Sequence, residues 1–285
     1  MSPAIHRASL AFREAFAHAK AGELNFPTSL DASRRVLKAV ENPDIGLATL
    51  AKIVISEPLL SAKVIRLANS VAMNPTSQVI RDVRLAVVRL GMDPIKALAM
   101  VLIMNQLRQS QRHGSTRNLS NRLWERSVNV AALAYVIAKK MTALNPDEAM
   151  FAGIVHDLGR FYLLAQAADY PELLENQAAL AETINDLGER ATRMVLDELK
   201  LPASVVEAVL ASGQYGKTMP PANLGDALFV ARALSPRQDP FAALDARVTP
   251  AADAAAAFGL DQSTVADVIA ASGDEIYSIV VALES

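Results

Sequence analysis

The sequence predicts an all-α protein, and three features support this prediction. Ala and Leu are abundant, aromatic residues make up only 5% of the 285 residues, and runs of β-branched residues are short. Apolar residues recur at helical spacing, and residues that favour helix starts alternate with Gly and Pro that favour helix ends. We find no segment with the strict alternation that is typical of a half-buried strand.

A leading segment, residues 1–24, is predicted to carry a helix over 4–21 that ends at Gly22. Its apolar residues form an imperfect stripe: Ile5, Leu10, Phe12 and Phe16. The sequence leaves open whether this stripe packs on the body of the protein or on a partner.

Residues 25–110 are predicted to form a first helical lobe. Prolines interrupt it repeatedly, so its helices are short. Asp82 is a suitable N-cap for a helix that Gly91 ends. Asp93 and Pro94 then begin a longer helix, because Pro is favoured at the first helical position.

A polar, basic stretch predicts a linker over residues 111–121. Between residues 108 and 126 five arginines accompany a single Glu. We interpret them as a solvated linker, with a docking patch for an acidic partner as the alternative. A second helical lobe is predicted for residues 122–235 and further C-terminal helices for residues 236–285.

Composition excludes several function classes. The formal net charge of −2 disfavours nucleic acid as a partner, because phosphate contacts need an excess of Lys and Arg. The absence of Cys excludes disulfides, thiolate catalysis and Cys-ligated metals. We find neither a signal peptide nor an apolar run of membrane-spanning length. We therefore expect a cytoplasmic protein without membrane contacts.

The segment Ala152–Arg160 contains the main candidate site. Its sequence is A-G-I-V-H-D-L-G-R, so His156 directly precedes Asp157 at the expected inner end of a buried helix. Adjacent His and Asp side chains can ligate one metal ion together, or share a proton. The function of this pair depends on which other side chains reach it.

Four motifs between residues 66 and 159 carry a resemblance that extends over roughly residues 25–235. In the first lobe they are Arg66–Ser70, R-L-A-N-S, and Val83–Gly91, which is similar to an "AIxxLG" helix. In the second lobe Leu123–Ser127 resembles "LWxHS", and Phe151–Gly159 resembles "FxAGLLHDIG". In their order and spacing these motifs resemble those of the HDOD family, the HD-related output domain.

The resemblance implies a two-lobed all-α fold related to the HD-domain phosphohydrolases, and a role in bacterial signalling or regulation through protein contacts. It also implies how a metal site would be completed. A working HD hydrolase adds an upstream His and a downstream Asp to the His-Asp pair, and the bound metal activates a water molecule. In this chain Arg126 stands at the upstream position and Arg232 at the downstream position. Because a guanidinium group cannot ligate a cation, we expect a degenerate HD site with no metal and no cofactor.

Two interpretations of His156 and Asp157 stay open. In the favoured one they are buried structural residues and Arg126 pairs with Asp157, because an unpaired buried charge is costly. In the other, Arg126, Arg160 and Arg232 form an anion pocket, since guanidinium groups suit phosphates.

Two of four further residues have both a structural and a functional interpretation. Asn69 and Ser70 are predicted to cap a helix, because Asn tolerates the left-handed conformation, with a contact in the groove between the lobes as the alternative. Gly153 and Gly159 are predicted to allow close helix packing or to lie at helix ends.

The sequence therefore favours a non-catalytic regulatory module whose lobes and leading helix bind a protein partner in a signalling pathway. The alternative is a metal-dependent phosphohydrolase that acts on a phosphate ester or a cyclic dinucleotide, with His156 and Asp157 as the catalytic pair. A third hypothesis, a nucleic-acid binder that uses the arginines of 108–126, is disfavoured by the net charge.

Overall fold

The computed structural model describes residues 2–18, 24, 31–40, 42, 44–109, 114–212, 219–245, 247 and 262–284. This part of the chain consists of α-helices, one 3₁₀ turn and connecting segments, which confirms the predicted all-α class. Among the described residues, no helix is both long enough and apolar enough to cross a membrane.

Five helices form the first lobe, and α6 is its core. They are α2 (Asp31–Val40), α3 (Leu47–Ile55), α4 (Pro58–Ala68), α5 (Val83–Leu90) and α6 (Met92–Gln109). Asp82 caps α5 as predicted, because its carboxylate accepts bonds from the backbone N–H groups of Arg84 and Leu85. Helix α6 is buried on most sides, because α2, α4 and α5 pack on it within the lobe and α7, α8 and α9 of the second lobe also contact it.

The second lobe is built around α7 and α11. Its helices are α7 (Gly114–Met141), α8 (Pro146–Val155), α9 (Leu158–Gln166), α10 (Pro171–Leu174), α11 (Gln177–Glu198), α12 (Ala203–Ala211) and α13 (Leu224–Leu234). Helices α8 and α13 pack on α7, whereas α9 packs on α11. The turn between α8 and α9 is thereby held between two long helices.

The predicted linker over residues 111–121 is wrong for residues 114–121, which form the first two turns of α7. Thr116, Leu119 and Leu123 are buried at helical spacing, whereas Arg117 is exposed. Arg117 and Arg122 thus lie on the solvated side of an amphipathic helix, whereas Arg126 of the same helix is buried. Residues 110–113 lie outside the described part of the chain.

The leading helix α1 (Pro3–His18) packs on the body of the protein. The Phe12 ring lies edge-on to Tyr170, with 5.1 Å between ring centroids. Arg13 forms an ion pair of 2.7 Å with Asp186 of α11. Phe12 and Phe16 are therefore buried where α1 packs on α10 and α11, whereas Leu10 stays exposed. The expectation that the leading helix binds a partner loses most of its support.

The last helix joins both lobes. Helices α14 (Gln262–Ala271) and α15 (Gly273–Glu284) end the chain, and α15 packs on α4 and on α7. Lys63 of α4 donates to the Leu283 carbonyl at 3.1 Å. Lys139 of α7 forms an ion pair of 2.8 Å with Glu275. The C-terminal helix thus links the two lobes, while residues 248–261 lie outside the described part.

Two glycines set the spacing of the helices around the α8–α9 turn. A Cβ atom at Gly153 would lie 2.5 Å from the Cα of Ala131 in α7, and one at Gly159 would lie 2.2 Å from the backbone N of Thr192 in α11. Both distances are far below van der Waals contact with backbone atoms. The predicted close packing at these glycines is confirmed.

We expect Gly159→Ala to destabilise the protein by at least about 2 kcal/mol, because α9 and α11 must move apart to admit a methyl group. The matched control is Gly273→Ala, where an added Cβ meets no atom within 4 Å. It should change stability by less than about 1 kcal/mol, in the stabilising direction, because Ala is the better helix former. Denaturant unfolding of both variants checks this, and equal midpoints would contradict the close packing.

Candidate functional site

The site lies at the junction of α8 and α9, with α7 beneath it. His156 immediately follows α8, and Asp157 immediately precedes α9. The Asp157 side chain does not cap its own helix, so its carboxylate is available to other elements. Arg126 approaches from α7 and is only 1% exposed. The position of the pair at the inner end of a buried helix agrees with the sequence prediction.

The Arg126 guanidinium bridges the two members of the pair. Its Nη1 atom lies 3.0 Å from His156 Nε2 and 3.1 Å from Asp157 Oδ2, and those two atoms are 3.0 Å apart. His156 Nδ1 lies 2.7 Å from the Gly153 carbonyl oxygen. Because a carbonyl oxygen only accepts, Nδ1 carries the proton and Nε2 accepts from Arg126. The predicted pairing of Arg126 with Asp157 is therefore confirmed.

Arg160 lies near Oδ1 of Asp157, the carboxylate oxygen that does not accept from Arg126. It donates to Asp239 at 2.7 Å and to the Asn185 side-chain oxygen at 3.2 Å, and it lies 3.5 Å from Asp157 Oδ1. Its guanidinium also stacks on the Phe241 ring, 5.4 Å from the centroid. Asp157 thus lies between two arginines.

Arg232 of α13 reaches the same place from a third direction. Its Nη1 donates to the Ser212 hydroxyl at 2.9 Å, and that hydroxyl donates to the Val209 carbonyl oxygen at 2.7 Å. Its buried Nε has no hydrogen-bond partner, and we find no carboxylate at ion-pair distance among the described residues. Arg232 and the His156–Asp157 pair line one cavity of about 230 Å³. The structure therefore brings together all four residues predicted for the degenerate HD site.

Burial and the neighbouring charges fix the protonation states. Burial disfavours the ionised form of Asp157, but its contact with His156 and the positive charges of Arg160 and Arg126 outweigh this effect and hold the pKa of the carboxyl well below its usual range. For His156, burial is the largest effect and lowers the pKa. The Asp157 carboxylate opposes this shift, whereas Arg126 and Arg232 add to it, and the net direction is downward. At neutral pH the site therefore contains an ionised Asp157 and a neutral His156.

The residues present do not fit a divalent metal. A metal bound by both His156 and Asp157 would need the position that Arg126 Nη1 occupies, within hydrogen-bond distance of both side chains. Arg232 adds a further cation instead of a ligand. In the part of the chain that the structure describes, no cluster of three or more His, Asp and Glu side chains could hold a metal ion. We therefore derive no metal-dependent chemistry for this site.

Asn69 and Ser70 form a helix end, and the bonds of Asn69 stay within the first lobe. The Asn69 amide donates to the Ile65 and Ile80 carbonyl oxygens at 2.9 and 2.7 Å, and its oxygen accepts from the Ile80 N–H at 2.8 Å. These hydrogen bonds support the helix cap, and the alternative of a contact between the lobes stays a prediction. The expected left-handed conformation is wrong, because φ is −99°; the cap acts through side-chain hydrogen bonds.

Sequence reasoning missed the acidic side chains that follow α13. Asp239 pairs with Arg160, and Asp245 accepts from Asn185 at 3.1 Å. For residues 236–285 the sequence predicts only further helices. The dipeptide Asp239-Pro240 is a turn signal, but a turn signal does not identify the partner of its carboxylate.

An all-α fold with a His-Asp pair at a buried helix junction agrees with the resemblance that the sequence shows. The chain belongs to the HDOD family, because the model of the HDOD domain matches residues 26–215. A search of the curated proteins finds no match.

Solved structures support the fold. The chain is similar to a "putative metal-dependent phosphohydrolase" from Shewanella amazonensis SB2B, with a TM-score of 0.72 and 21% identity over 99% of this chain and 100% of that chain. It is also similar to an HDOD domain protein of unknown function from Geobacter sulfurreducens, with a TM-score of 0.62 and 18% identity over 99% and 98%. A "putative signal transduction protein" from Marinobacter aquaeolei VT8 gives a TM-score of 0.61 and 20% identity over 98% and 66%. At these identities the similarity shows a shared fold.

We expect Arg126→Met to destabilise the protein by about 3–5 kcal/mol, because it leaves the Asp157 carboxylate buried without its partner. Adding Asp157→Asn should recover part of this loss, since the double variant removes both charges. The measurement is a double-mutant cycle by denaturant unfolding.

The control for this cycle is Arg35→Met, which removes a cation from the ion pair with Glu57 at 2.6 Å. Arg35 is exposed, so this variant should cost less than about 1 kcal/mol. Additive effects of the Arg126 and Asp157 substitutions would show that the buried pair is not coupled.

The lowered pKa of His156 predicts a pH-dependent loss of stability. Below the unfolded-state pKa of about 6.5, the unfolded chain binds a proton that the folded His156 does not, so stability falls as pH falls. Between pH 7.5 and 5.5 the free energy of unfolding should fall by up to about 1.4 kcal/mol more in the wild type than in His156→Gln. Burial raises the pKa of Asp147 to about 6, so this group makes the protein more stable as pH falls. Its effect is the same in both proteins and cancels when the two stability–pH curves are subtracted. Parallel stability–pH curves for the two proteins would refute the prediction.

Proposed function

We propose that this HDOD protein is a non-catalytic module that acts in signal transduction through contacts with a protein partner. The observation that carries the proposal is the position of Arg126 Nη1, 3.0 Å from His156 Nε2 and 3.1 Å from Asp157 Oδ2. This atom takes the place from which a catalytic metal would act. The proposal includes a bacterial, cytoplasmic setting, in keeping with the family's usual role.

The chemistry of the guanidinium group supports a loss of hydrolysis. A divalent metal accelerates hydrolysis because it binds a water molecule directly and lowers its pKa. A guanidinium group offers only N–H donors, and its own proton is not available at neutral pH. Arg126 can therefore balance the charge of Asp157, but it does not generate hydroxide.

An exposed apolar surface on the first lobe supports a role in protein contacts. Leu85 and Val88 are three residues apart on α5 and are 61% and 63% exposed. The buried side of the same helix already packs on the lobe, and Arg81 and Arg84 lie exposed beside the apolar pair. A partner segment with apolar and acidic side chains would complement this surface.

The phosphohydrolase alternative has support from the shared fold only. The Shewanella protein is a "putative metal-dependent phosphohydrolase", but at 21% identity its activity does not transfer to this chain. A nucleic-acid partner is disfavoured by the formal net charge of −2.

We expect purified wild-type protein to contain no stoichiometric metal, and to show no phosphodiesterase activity in added Mn²⁺ or Fe²⁺. Elemental analysis and a phosphodiester assay measure this directly. The double variant Arg126→His and Arg232→Asp is expected to bind Mn²⁺, because it replaces two cations with two ligands next to His156 and Asp157.

Arg232→Gln serves as the matched control, since it removes a charge without adding a ligand and should stay free of metal. A stoichiometric metal in the wild type, with turnover abolished by His156→Ala, would overturn the proposal.

A further inference from the structure

We propose that the cavity beside the His156–Asp157 pair binds a small phosphate anion, either inorganic phosphate or the phosphate group of a nucleoside monophosphate. Its walls come from the α8–α9 turn, α9, α11, α12 and α13. The lining residues used below are Asn185, Gly188, Glu189, Ser212, Arg160 and Arg232. This inference goes beyond the proposed function, because it assigns a ligand to a site that is not catalytic.

The site has an excess of positive charge. Arg126, Arg160 and Arg232 supply three guanidinium groups, whereas Asp157 and Asp239 supply two carboxylates. Arg126 pairs with Asp157, and Arg160 pairs with Asp239. Arg232 is left without a carboxylate partner among the described residues, so one positive charge faces the cavity uncompensated.

Two other carboxylates nearby do not remove this excess. Asp245 is matched by Arg247, with contacts of 2.8 and 2.9 Å. Glu189 lies at the rim, its side chain is 76% exposed, and it faces Arg193 at 3.8 Å. Since exposed charges are screened by water, Glu189 compensates Arg232 weakly.

Arg232 is suited to hold an anion. Its Nη1 donates to Ser212, and its buried Nε has no partner in the described part of the chain. A partly buried cation whose Nε is buried without an acceptor is costly, and a bound phosphate would supply both the negative charge and the acceptor oxygens. Burial, followed by repulsion from Arg126, lowers the pKa of Arg232 to about 10. An anion in the cavity would reverse this shift.

The size of the cavity indicates a small ligand. Its volume of about 230 Å³ is below the range of about 300–1,000 Å³ that is usual for pockets holding larger molecules. Gly188 leaves part of this space open, because a Cβ there would lie 3.7 Å from both Cγ and Nε of Arg160. A larger side chain at residue 188 would therefore fill the cavity without changing any charge.

The test is isothermal titration of the full chain with inorganic phosphate and, separately, with adenosine monophosphate, at constant ionic strength and with EDTA present. We expect saturable binding by the wild type. Arg232→Gln should weaken it by about 10- to 100-fold, since one charge-assisted interaction is lost. Gly188→Leu should weaken it comparably by filling the cavity. Arg237→Gln, at an exposed arginine of the same region, should bind as the wild type does.

The two ligands distinguish the sources of the phosphate group. Tighter binding of the nucleotide identifies it as the ligand class, and equal affinities identify the phosphate group alone; either result supports the site. No saturable binding of either ligand, or binding unchanged in Arg232→Gln and Gly188→Leu, would overturn the inference.

Binding that appears only when Mn²⁺ replaces EDTA would contradict the metal-free site and the proposed function together. Absence of phosphate binding in EDTA would overturn the inference and leave the proposed function unaffected. The failure of the inference and the failure of the proposed function can therefore be distinguished. Thermal unfolding of each variant confirms that it is folded before titration.

Discussion

The buried ion pair of Arg126 with Asp157 is the interaction on which the rest of the site depends. It joins α7 to the α8–α9 turn through a single nitrogen that donates to both His156 and Asp157. Two buried charges are tolerated because each is the other's counter-ion, and because Arg160 supports the second oxygen of Asp157 at 3.5 Å. His156 contributes as a neutral acceptor, with its proton directed at the Gly153 carbonyl. Removing any one member would leave a buried polar group without its partner.

Arg126 and Arg232 bring positive charge to the His156–Asp157 pair without supplying metal ligands. A divalent metal brings two positive charges to the His-Asp pair, and so do two guanidinium groups. The metal also activates water, which guanidinium groups do not do. An electropositive cavity without a means of generating hydroxide is suited to holding a phosphate group and not to hydrolysing it. The proposed absence of catalysis and the proposed anion site therefore follow from the same two residues.

The sequence could predict the parts of this arrangement that depend on local signals. His156 and Asp157 are adjacent in the chain, and the cost of an unpaired buried carboxylate indicated Arg126 as the partner. The helical class follows from periodicity and from start signals such as Asp82, which caps α5 in the structure. These features are encoded within a few residues of where they act.

Other features depend on contacts between distant segments and could not be predicted in this way. Arg117 and Arg122 contributed to the predicted linker, but they belong to a helix whose other side buries Thr116 and Leu119. Asp239 follows the predicted second lobe, and its role depends on Arg160, 79 residues earlier in the chain. The apolar stripe of α1 is equally compatible with a partner until α10 and α11 are seen to cover Phe12 and Phe16. In each case the local sequence showed which residues are polar or apolar. Contacts with distant segments determined which structure those residues adopt and what they contact.

The arrangement of the helices limits how the cavity could influence a protein partner. The cavity is formed by elements of the second lobe, whereas Leu85 and Val88 lie on α5 of the first lobe. Helix α6 contacts α5 on one side and α8 and α9 on the other, and it is closely packed along its length. A ligand shifts a conformational equilibrium only by its difference in affinity for the two states. Coupling between the cavity and the exposed surface of α5 would therefore require two arrangements of α9 against α6. The close approach of Gly159 to Thr192 restricts a change between them, because α9 cannot shift toward α11.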